Sequence, residues 1–256
     1  MKLKKILSFC LLNVLVLTFT FKNTYAQVVY EATWESLDNH KIPQWYMDSK
    51  IGLSLHWGVY SVPAWAPRLN GISYAEWYGS RMKDLKNPTH KYHIENYGPD
   101  YTYDDFIPLW KAESYSPKEW AKFAKKMGAK YIFITSKHHD GFCLWPSKYT
   151  DRNALKMGPK KDILGEFFNA AREEGLKVGL YYSLYEWYNP LYTGVDIPYA
   201  GMKKVNNYVD DFMIPQIKEL IDLYHPDFFY FDGEWDHPEP FWKMKEVVAY
   251  YYNEAE

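Results

Sequence analysis

One carboxylate in this sequence directly follows a strongly apolar run, at a position where chemistry could take place. Asp232 comes after residues 228–231, which are Phe, Phe, Tyr and Phe, and Gly233 follows it. An Asp at the end of a buried strand can act as a nucleophile, a general base or a metal ligand. It can also simply cap the following loop. We expect a role in chemistry, because the functional groups of (β/α) barrels lie where the strands end.

Three histidines also lie at or just after apolar runs: His56 and the adjacent pair His138 and His139. Neighbouring residues on a straight strand point to opposite faces, so both members of the pair reach one site only if the strand bends at its end. His56, one of the pair and Asp232 would make a His/His/Asp metal site. Neutral imidazole, with one donor and one acceptor, suits a polyhydroxylated ligand equally well. The residues alone leave both interpretations open.

A carboxylate next to aromatic residues occurs twice, in Glu76-Trp77-Tyr78 and in Glu186-Trp187. An aromatic ring that packs on the C–H face of a sugar, beside a carboxylate that accepts from hydroxyl groups, is a typical carbohydrate site. A solvated Glu beside a packed Trp is the alternative at both positions. Aromatic residues make up 20% of the chain, and this content fits either interpretation.

Four apolar runs that end in polar or aromatic residues predict four parallel strands. They cover residues 51–58, 131–142, 176–183 and 228–235. Helical patterns separate these runs, and this alternation is typical of βαβ units. A doubly wound sheet fits the alternation as well, but it usually carries a Gly-rich loop after its first strand, and none follows here. We therefore predict an α/β fold of the (β/α)8 TIM-like barrel class.

Boundary signals place helices between the predicted strands. Residues 116–119, Ser-Pro-Lys-Glu, have the form of a capping box with Pro at the first helical position. A second helix is predicted over 162–174. A third ends near Tyr224, with Pro215 in its first turn or at a kink. The last helix is predicted over residues 241–253.

The number of strands limits how much of a barrel this sequence can form. Residues 59–111 are predicted to be a long loop after the first strand, at the face where barrel enzymes place substrate contacts. Strands missed in that segment would not bring the count to eight. We therefore expect about the first half of a barrel, with residues 27–256 as the N-terminal portion of a truncated catalytic domain.

The first 26 residues have the pattern of a secretory signal peptide, with basic residues, an apolar run over 6–21 and small residues before Gln27. We expect cleavage and a secreted or periplasmic protein; an uncleaved anchor is disfavoured because the run is short. Cleavage removes four lysines and no acid, which takes the formal charge from −2 to −6. This charge disfavours nucleic acid and membrane as partners. Cys143 then remains alone, without a disulfide partner, and is expected to be a buried apolar residue.

Together these motifs resemble the N-terminal part of the α-L-fucosidases of glycoside hydrolase family 29. The resemblance spans the chain from residue 51 in family order, and the set is specific although each motif alone would be weak. The matching segments are residues 51–65, 76–78, 137–145, 179–187 and 231–235.

The resemblance implies a retaining exo-glycosidase on a (β/α) barrel, acting on fucosylated oligosaccharides or glycoconjugates without a cofactor or metal. It implies that Asp232 is the nucleophile. The residues implied to contact fucose are His56, Glu76, Trp77, His138, His139 and Tyr181, with Tyr181 preferred over Tyr182.

A retaining enzyme also needs an acid/base carboxyl. In this family that residue comes later in the chain, and Glu234 does not match its position, so we expect the fragment alone to be inactive. Two other functions remain open. They are a metal-dependent barrel hydrolase that uses His56, His138 and Asp232, and a non-catalytic fucose-binding remnant.

Overall fold

The computed structural model describes residues 28–68, 74–193 and 207–254. The predicted signal peptide over residues 1–26 lies outside the described residues. Among the helices of the described segments, none combines the length and the apolar character that crossing a membrane requires.

The centre of the fold is a parallel sheet whose four strands lie side by side in chain order. The strands are β1, Gly52–Leu55; β2, Tyr131–Lys137; β3, Lys177–Ser183; and β4, Phe228–Asp232. All three neighbouring pairs are parallel. A doubly wound sheet reverses its strand order near the middle, whereas a barrel adds each strand beside the previous one. The observed order is that of a partial (β/α) barrel.

The described residues also contain α-helices, several of which pack on one face of this sheet. In chain order they are α1, Trp34–Leu37; α2, Gln44–Asp48; α3, Tyr78–Arg81; α4, Pro88–Tyr97; α5, Pro117–Lys126; α6, Ile163–Glu173; α7, Pro190–Thr193; α8, Ile214–Tyr224; α9, Glu239–Trp242; and α10, Met244–Glu254. Helices α5, α6, α8 and α10 contact one another in that order and form the outer layer.

Alternation along each strand separates a core face from a face that carries polar and aromatic side chains. Ile132, Ile134, Val178 and Leu180 point to the helices and are fully buried. The opposite face is rich in aromatic rings, and Tyr230 on it is 54% exposed. The core therefore lies between the sheet and the outer helices, and the other face is free to carry a site.

Most helix boundaries agree with the predictions, with two exceptions. Ser116 precedes α5 as expected, but its side chain makes no capping hydrogen bond, so the capping box is wrong. The predicted last helix is interrupted at Lys243, whose positive φ of 52° separates α9 from α10. Pro215 lies in the first turn of α8, as one of the two alternatives predicted.

The long segment over residues 59–111 contains helices and no strand in its described part. It forms α3 and α4 together with three short 3-10 helices, Val59–Ser61, Ala75–Trp77 and Tyr103–Leu109. The second 3-10 helix carries Glu76 and Trp77, two of the predicted site residues. Cys143 is buried, as predicted.

Candidate active site

A cleft of about 630 Å³ lies where the strands end, and all seven predicted site residues line it. They come from the ends of all four strands and from the segment after β1. The structure therefore brings these side chains together, while their roles remain predictions. The lining residues are Ser54, His56, Tyr74, Glu76, Trp77, Phe133, His138, His139, Tyr181, Tyr230, Asp232 and Trp235.

Asp232, the last residue of β4, presents a carboxylate that is held from three sides. The Tyr181 hydroxyl donates to Oδ2 at 2.5 Å, and the Gly233 amide and the Trp235 indole donate to Oδ1 at 2.7 and 3.2 Å. Burial opposes ionisation, but these hydrogen bonds and nearby His139 outweigh it and hold the pKa of Asp232 below its ordinary value. Asp232 is therefore an ionised and oriented carboxylate at neutral pH.

Tyr181 and Tyr182 lie on opposite faces of β3. Tyr181 faces the cleft, and burial together with its hydrogen bond to Asp232 raises its pKa, so it remains a donor. Tyr182 points to the outer layer, where its hydroxyl donates to Gln216 of α8 at 2.8 Å.

The adjacent histidines reach one cleft because β2 becomes irregular before it ends. The register with β3 shifts between Thr135 and Lys137, and the pair follows this bulge. The ring of His138 stacks on Tyr181 at 5.3 Å and lies 4.3 Å from the ring of His139. The bend that the sequence required for both imidazoles is therefore present.

All three cleft histidines are neutral at pH 7. Burial, and then the neighbouring histidines, lower the pKa of His138 well below its ordinary value. Burial lowers the pKa of His139 to about 4, although Asp232 opposes the shift. Burial also lowers the pKa of His56, against the influence of Glu76 and Asp232. Each ring thus offers one donor and one acceptor.

Glu76 and Trp77 close the cleft on the side of β1. The Glu76 carboxylate lies 3.6 Å from Nδ1 of His56. The Trp77 ring meets His139 edge-on at 5.3 Å and contacts Trp187 at 5.1 Å. A carboxylate and an indole therefore lie next to the histidines, as the carbohydrate-site interpretation of this motif predicts.

Glu186-Trp187, the second carboxylate–aromatic motif, has a different place. Glu186 is fully buried and lies 2.6 Å from the ammonium of Lys137, which is also fully buried. Glu186 therefore cannot contact a sugar in the cleft, and this interpretation of the motif is wrong. Trp187 contacts a cleft residue through its backbone, since its amide donates to the His139 carbonyl at 2.9 Å.

Sequence reasoning missed several residues that line or support the cleft. Tyr230 and Ser183 could have been found, because they share the alternation of Asp232 and Tyr181. Trp235 is visible only as an aromatic residue shortly after Asp232. Nothing in the sequence marks Lys137 as a buried cation.

One group of possible metal ligands lies among the described residues. The ligand atoms of His138, His139 and Asp232 are all within 4.8 Å of one another. The predicted metal set contained His56, which is not in this group. A metal here would compete with Tyr181 and Trp235 for the Asp232 oxygens, because both oxygens already accept hydrogen bonds.

Comparison with known proteins gives a consistent result. A family model described as Alpha-L-fucosidase matches residues 17–256. The chain is 37% identical to the rat tissue alpha-L-fucosidase, over 88% of this chain and 47% of that protein. It is 38% identical to an alpha-L-fucosidase of Dictyostelium discoideum, over 88% of this chain and 49% of that protein. The chain thus spans about half the length of these relatives.

Solved structures agree with the sequence comparison. The alpha-fucosidase of Thermotoga maritima superposes with a TM-score of 0.74 at 41% identity, covering 88% of this chain and 54% of that one. A family 29 alpha-L-fucosidase from Bacteroides thetaiotaomicron gives a TM-score of 0.61 at 33% identity, over 81% of this chain and 45% of that one. This likeness confirms the predicted barrel architecture. The chain belongs to the α-L-fucosidase family, glycoside hydrolase family 29.

Proposed function

We propose that this chain carries the sugar-binding and nucleophilic part of a retaining exo-α-L-fucosidase. The observation that carries the proposal is the Asp232 carboxylate, ionised and held by three donors in a cleft lined by three neutral histidines. The substrate class is a glycan or glycoconjugate that ends in α-L-fucose.

The chemistry is a double displacement. One oxygen of Asp232 attacks the anomeric carbon while the bond to the leaving oxygen breaks, and an acid protonates that oxygen. The resulting glycosyl ester is then hydrolysed by water, which restores the carboxylate and gives fucose of the original configuration. Tyr181 and Trp235 keep the carboxylate oriented, so little reorganisation is needed when charge moves from it to the sugar.

The cleft suits a 6-deoxy sugar. Fucose offers three free hydroxyls when glycosidically linked, together with one methyl group. The neutral histidines and Glu76 supply hydrogen bonds for the hydroxyls, and the rings of Trp77 and Phe133 supply apolar surface.

We further propose that this chain does not hydrolyse fucosides by itself. Among the described residues that line the cleft, Glu76 is the only carboxylate besides Asp232, and the family resemblance assigns it to sugar binding and not to acid/base catalysis. A retaining mechanism needs an acid/base carboxyl about 5–5.5 Å from the nucleophile. Activated aryl fucosides, whose leaving groups need little protonation, are the sensitive test, and turnover by purified residues 27–256 at ordinary glycosidase rates would contradict this proposal.

The nucleophile is tested by Asp232→Gly in the full-length protein, meaning a version with a complete barrel. Turnover should fall by several orders of magnitude while fucose still binds, and azide should partly restore the rate and yield the inverted glycosyl azide. Glu76→Gln is the control, because azide cannot replace a residue that only binds hydroxyls. Near-normal turnover of Asp232→Gly would refute the assignment.

The metal alternative is tested separately. His138, His139 and Asp232 favour it by their closeness. A metal-dependent hydrolase would lose activity with a chelator and regain it with zinc, whereas the proposed enzyme is indifferent to both. Fucose binding without any turnover by the full-length protein would instead support a non-catalytic remnant. Export through residues 1–26 remains a prediction, tested by sequencing the N-terminus of the mature protein.

A further inference from the structure

Ser183, the last residue of β3, connects the backbone to the His139 ring. Its side chain is fully buried. The hydroxyl donates to the carbonyl of Tyr185 at 2.5 Å, and the same oxygen lies 2.5 Å from Nδ1 of His139. The Ser183 oxygen therefore contacts both the Tyr185 carbonyl and Nδ1 of His139.

These contacts decide where the imidazole carries its proton. A carbonyl oxygen can only accept, so the single hydroxyl proton of Ser183 is used by Tyr185. The Ser183 oxygen can then face Nδ1 only as an acceptor, because two lone pairs at 2.5 Å would repel each other. Nδ1 must carry the proton. In a neutral ring, Nε2 is left without one.

The unprotonated nitrogen lies on the functional side of the ring. Nε2 is 3.8 Å from Oδ2 of Asp232, too far for a hydrogen bond between them, and His139 lines the cleft. Two acceptors, one imidazole nitrogen and one carboxylate oxygen, thus flank the same part of the cleft.

We propose that Ser183 is a positioning residue that fixes His139 as the Nδ1–H tautomer, so that a hydroxyl of the bound sugar donates its proton to Nε2. The sugar must therefore present a hydrogen-bond donor at this point, and a group of the same size that only accepts will not replace it. The first half of the proposal concerns the protein alone. The second half, sugar recognition, rests on the proposed function.

The tautomer is tested in the full-length protein, without ligand, by long-range 1H–15N correlation after labelling with 15N-histidine. The Nε2 of His139 is expected in the shift range of an unprotonated imidazole nitrogen at pH 7. In Ser183→Ala the proton on Nδ1 loses its acceptor, so the fraction of the Nε2–H tautomer should rise. A wild-type signal of protonated Nε2, or an unchanged tautomer in Ser183→Ala, would overturn the inference.

Ser136→Ala is the matched control. Ser136 is equally buried at the neighbouring strand and its hydroxyl also donates to a backbone carbonyl, that of Tyr181, at 2.7 Å. It does not contact the His139 ring, so this variant should leave the tautomer unchanged. A shift of the same size in Ser136→Ala would mean that general loosening, and not the Ser183 contact, moves the proton.

Recognition is tested with free fucose and its monodeoxy and monodeoxyfluoro derivatives. Ser183→Ala should bind fucose about threefold to tenfold more weakly, the effect of one neutral hydrogen bond. The hydroxyl that contacts His139 is the one whose removal weakens binding to wild-type protein but not to Ser183→Ala. The derivative with fluorine at that position should bind wild-type protein as weakly as the deoxy sugar, because fluorine cannot donate a hydrogen bond. Fluoro binding equal to that of fucose would overturn the donor requirement. If no sugar binds but the tautomer is as expected, the proposed function is refuted, while the role of Ser183 in fixing the His139 tautomer is retained.

Discussion

Removing one partner of the Lys137–Glu186 ion pair is expected to destabilise the protein far more than neutralising both. The ammonium and the carboxylate are 2.6 Å apart, and both side chains are fully buried. Lys137→Met leaves the Glu186 charge in the core without its cation. Removing one partner of a buried ion pair leaves the other charge uncompensated, and this lowers the free energy of unfolding by about 3–5 kcal/mol.

The surroundings of Lys137 explain why the double change should be milder. Its ammonium lies over the rings of Tyr182, Tyr208 and Phe212, at 4.5, 5.7 and 5.3 Å from their centroids. A methionine at 137 would find apolar partners there, and Glu186→Gln removes the orphaned charge while keeping an amide for hydrogen bonding. We expect Lys137→Met/Glu186→Gln to recover at least about 2 kcal/mol relative to Lys137→Met.

Urea unfolding at pH 7, followed by tryptophan fluorescence, measures these differences. Lys118 and Glu173 provide the control, because they form a pair at 3.3 Å with 69% and 61% of their side chains exposed. Lys118→Met should cost less than about 1 kcal/mol, as exposed pairs do. If Lys137→Met costs no more than Lys118→Met, or if the double variant is less stable than Lys137→Met, the buried-charge reasoning is wrong.

Three further changes probe the cleft. Gly233 has φ +88°, and a Cβ there would lie 2.4 Å from Cβ of Tyr185, so Gly233→Ala should lower the unfolding free energy by at least about 1–2 kcal/mol in urea. Tyr181→Phe removes a donor to Asp232 and so raises the pKa of Asp232; in the full-length protein this should move the acidic limb of the pH–rate profile to higher pH. Burial lowers the pKa of His139 from 6.5 to about 4. Between these two pH values the unfolded chain binds more protons than the folded one, so the free energy of unfolding should fall by roughly 3 kcal/mol as the pH drops through this range. Urea unfolding at pH 7 and pH 4.5 measures this loss, and His139→Gln should show a weaker pH dependence.

The sheet face that lines the cleft could be predicted from the sequence, because the alternation of side chains along a strand is a local property. Once residues 228–232 are taken as a strand, Asp232 and Tyr230 must share a face. The apolar run therefore placed Asp232 at a strand end without any knowledge of tertiary contacts, whereas Glu76 and Trp77 lie outside the strands and were assigned by the family resemblance. The two Glu-Trp motifs, at Glu76 and Glu186, were indistinguishable for the opposite reason, since only long-range packing separates a cleft carboxylate from a buried one.

The adjacent histidines called for a bend at the end of β2, but the sequence did not indicate that the bend already begins between Thr135 and Lys137. Strict alternation places Lys137 on the same face as Phe133 and Thr135, in the cleft. The register shift instead pairs Lys137 with Tyr182, on the core side, where the ammonium meets Glu186. A bulge depends on the neighbouring strand and leaves no pattern in a single chain. The same shift brings two adjacent histidines to one cleft.

Hydrogen bonds between neighbouring strand ends explain how this site can hold its geometry. The Thr135 hydroxyl at the end of β2 bonds both the amide and the carbonyl of Trp57, which follows β1. The Ser136 hydroxyl holds the Tyr181 carbonyl of β3, and the Tyr181 hydroxyl holds Asp232 of β4. Each strand end is thus linked to its neighbour by a polar side chain, so the carboxylate is positioned by a chain of contacts that crosses the whole sheet. A donor array assembled in this way is already in place before substrate binds, which is the condition under which electrostatic stabilisation lowers a barrier without a cost of reorganisation.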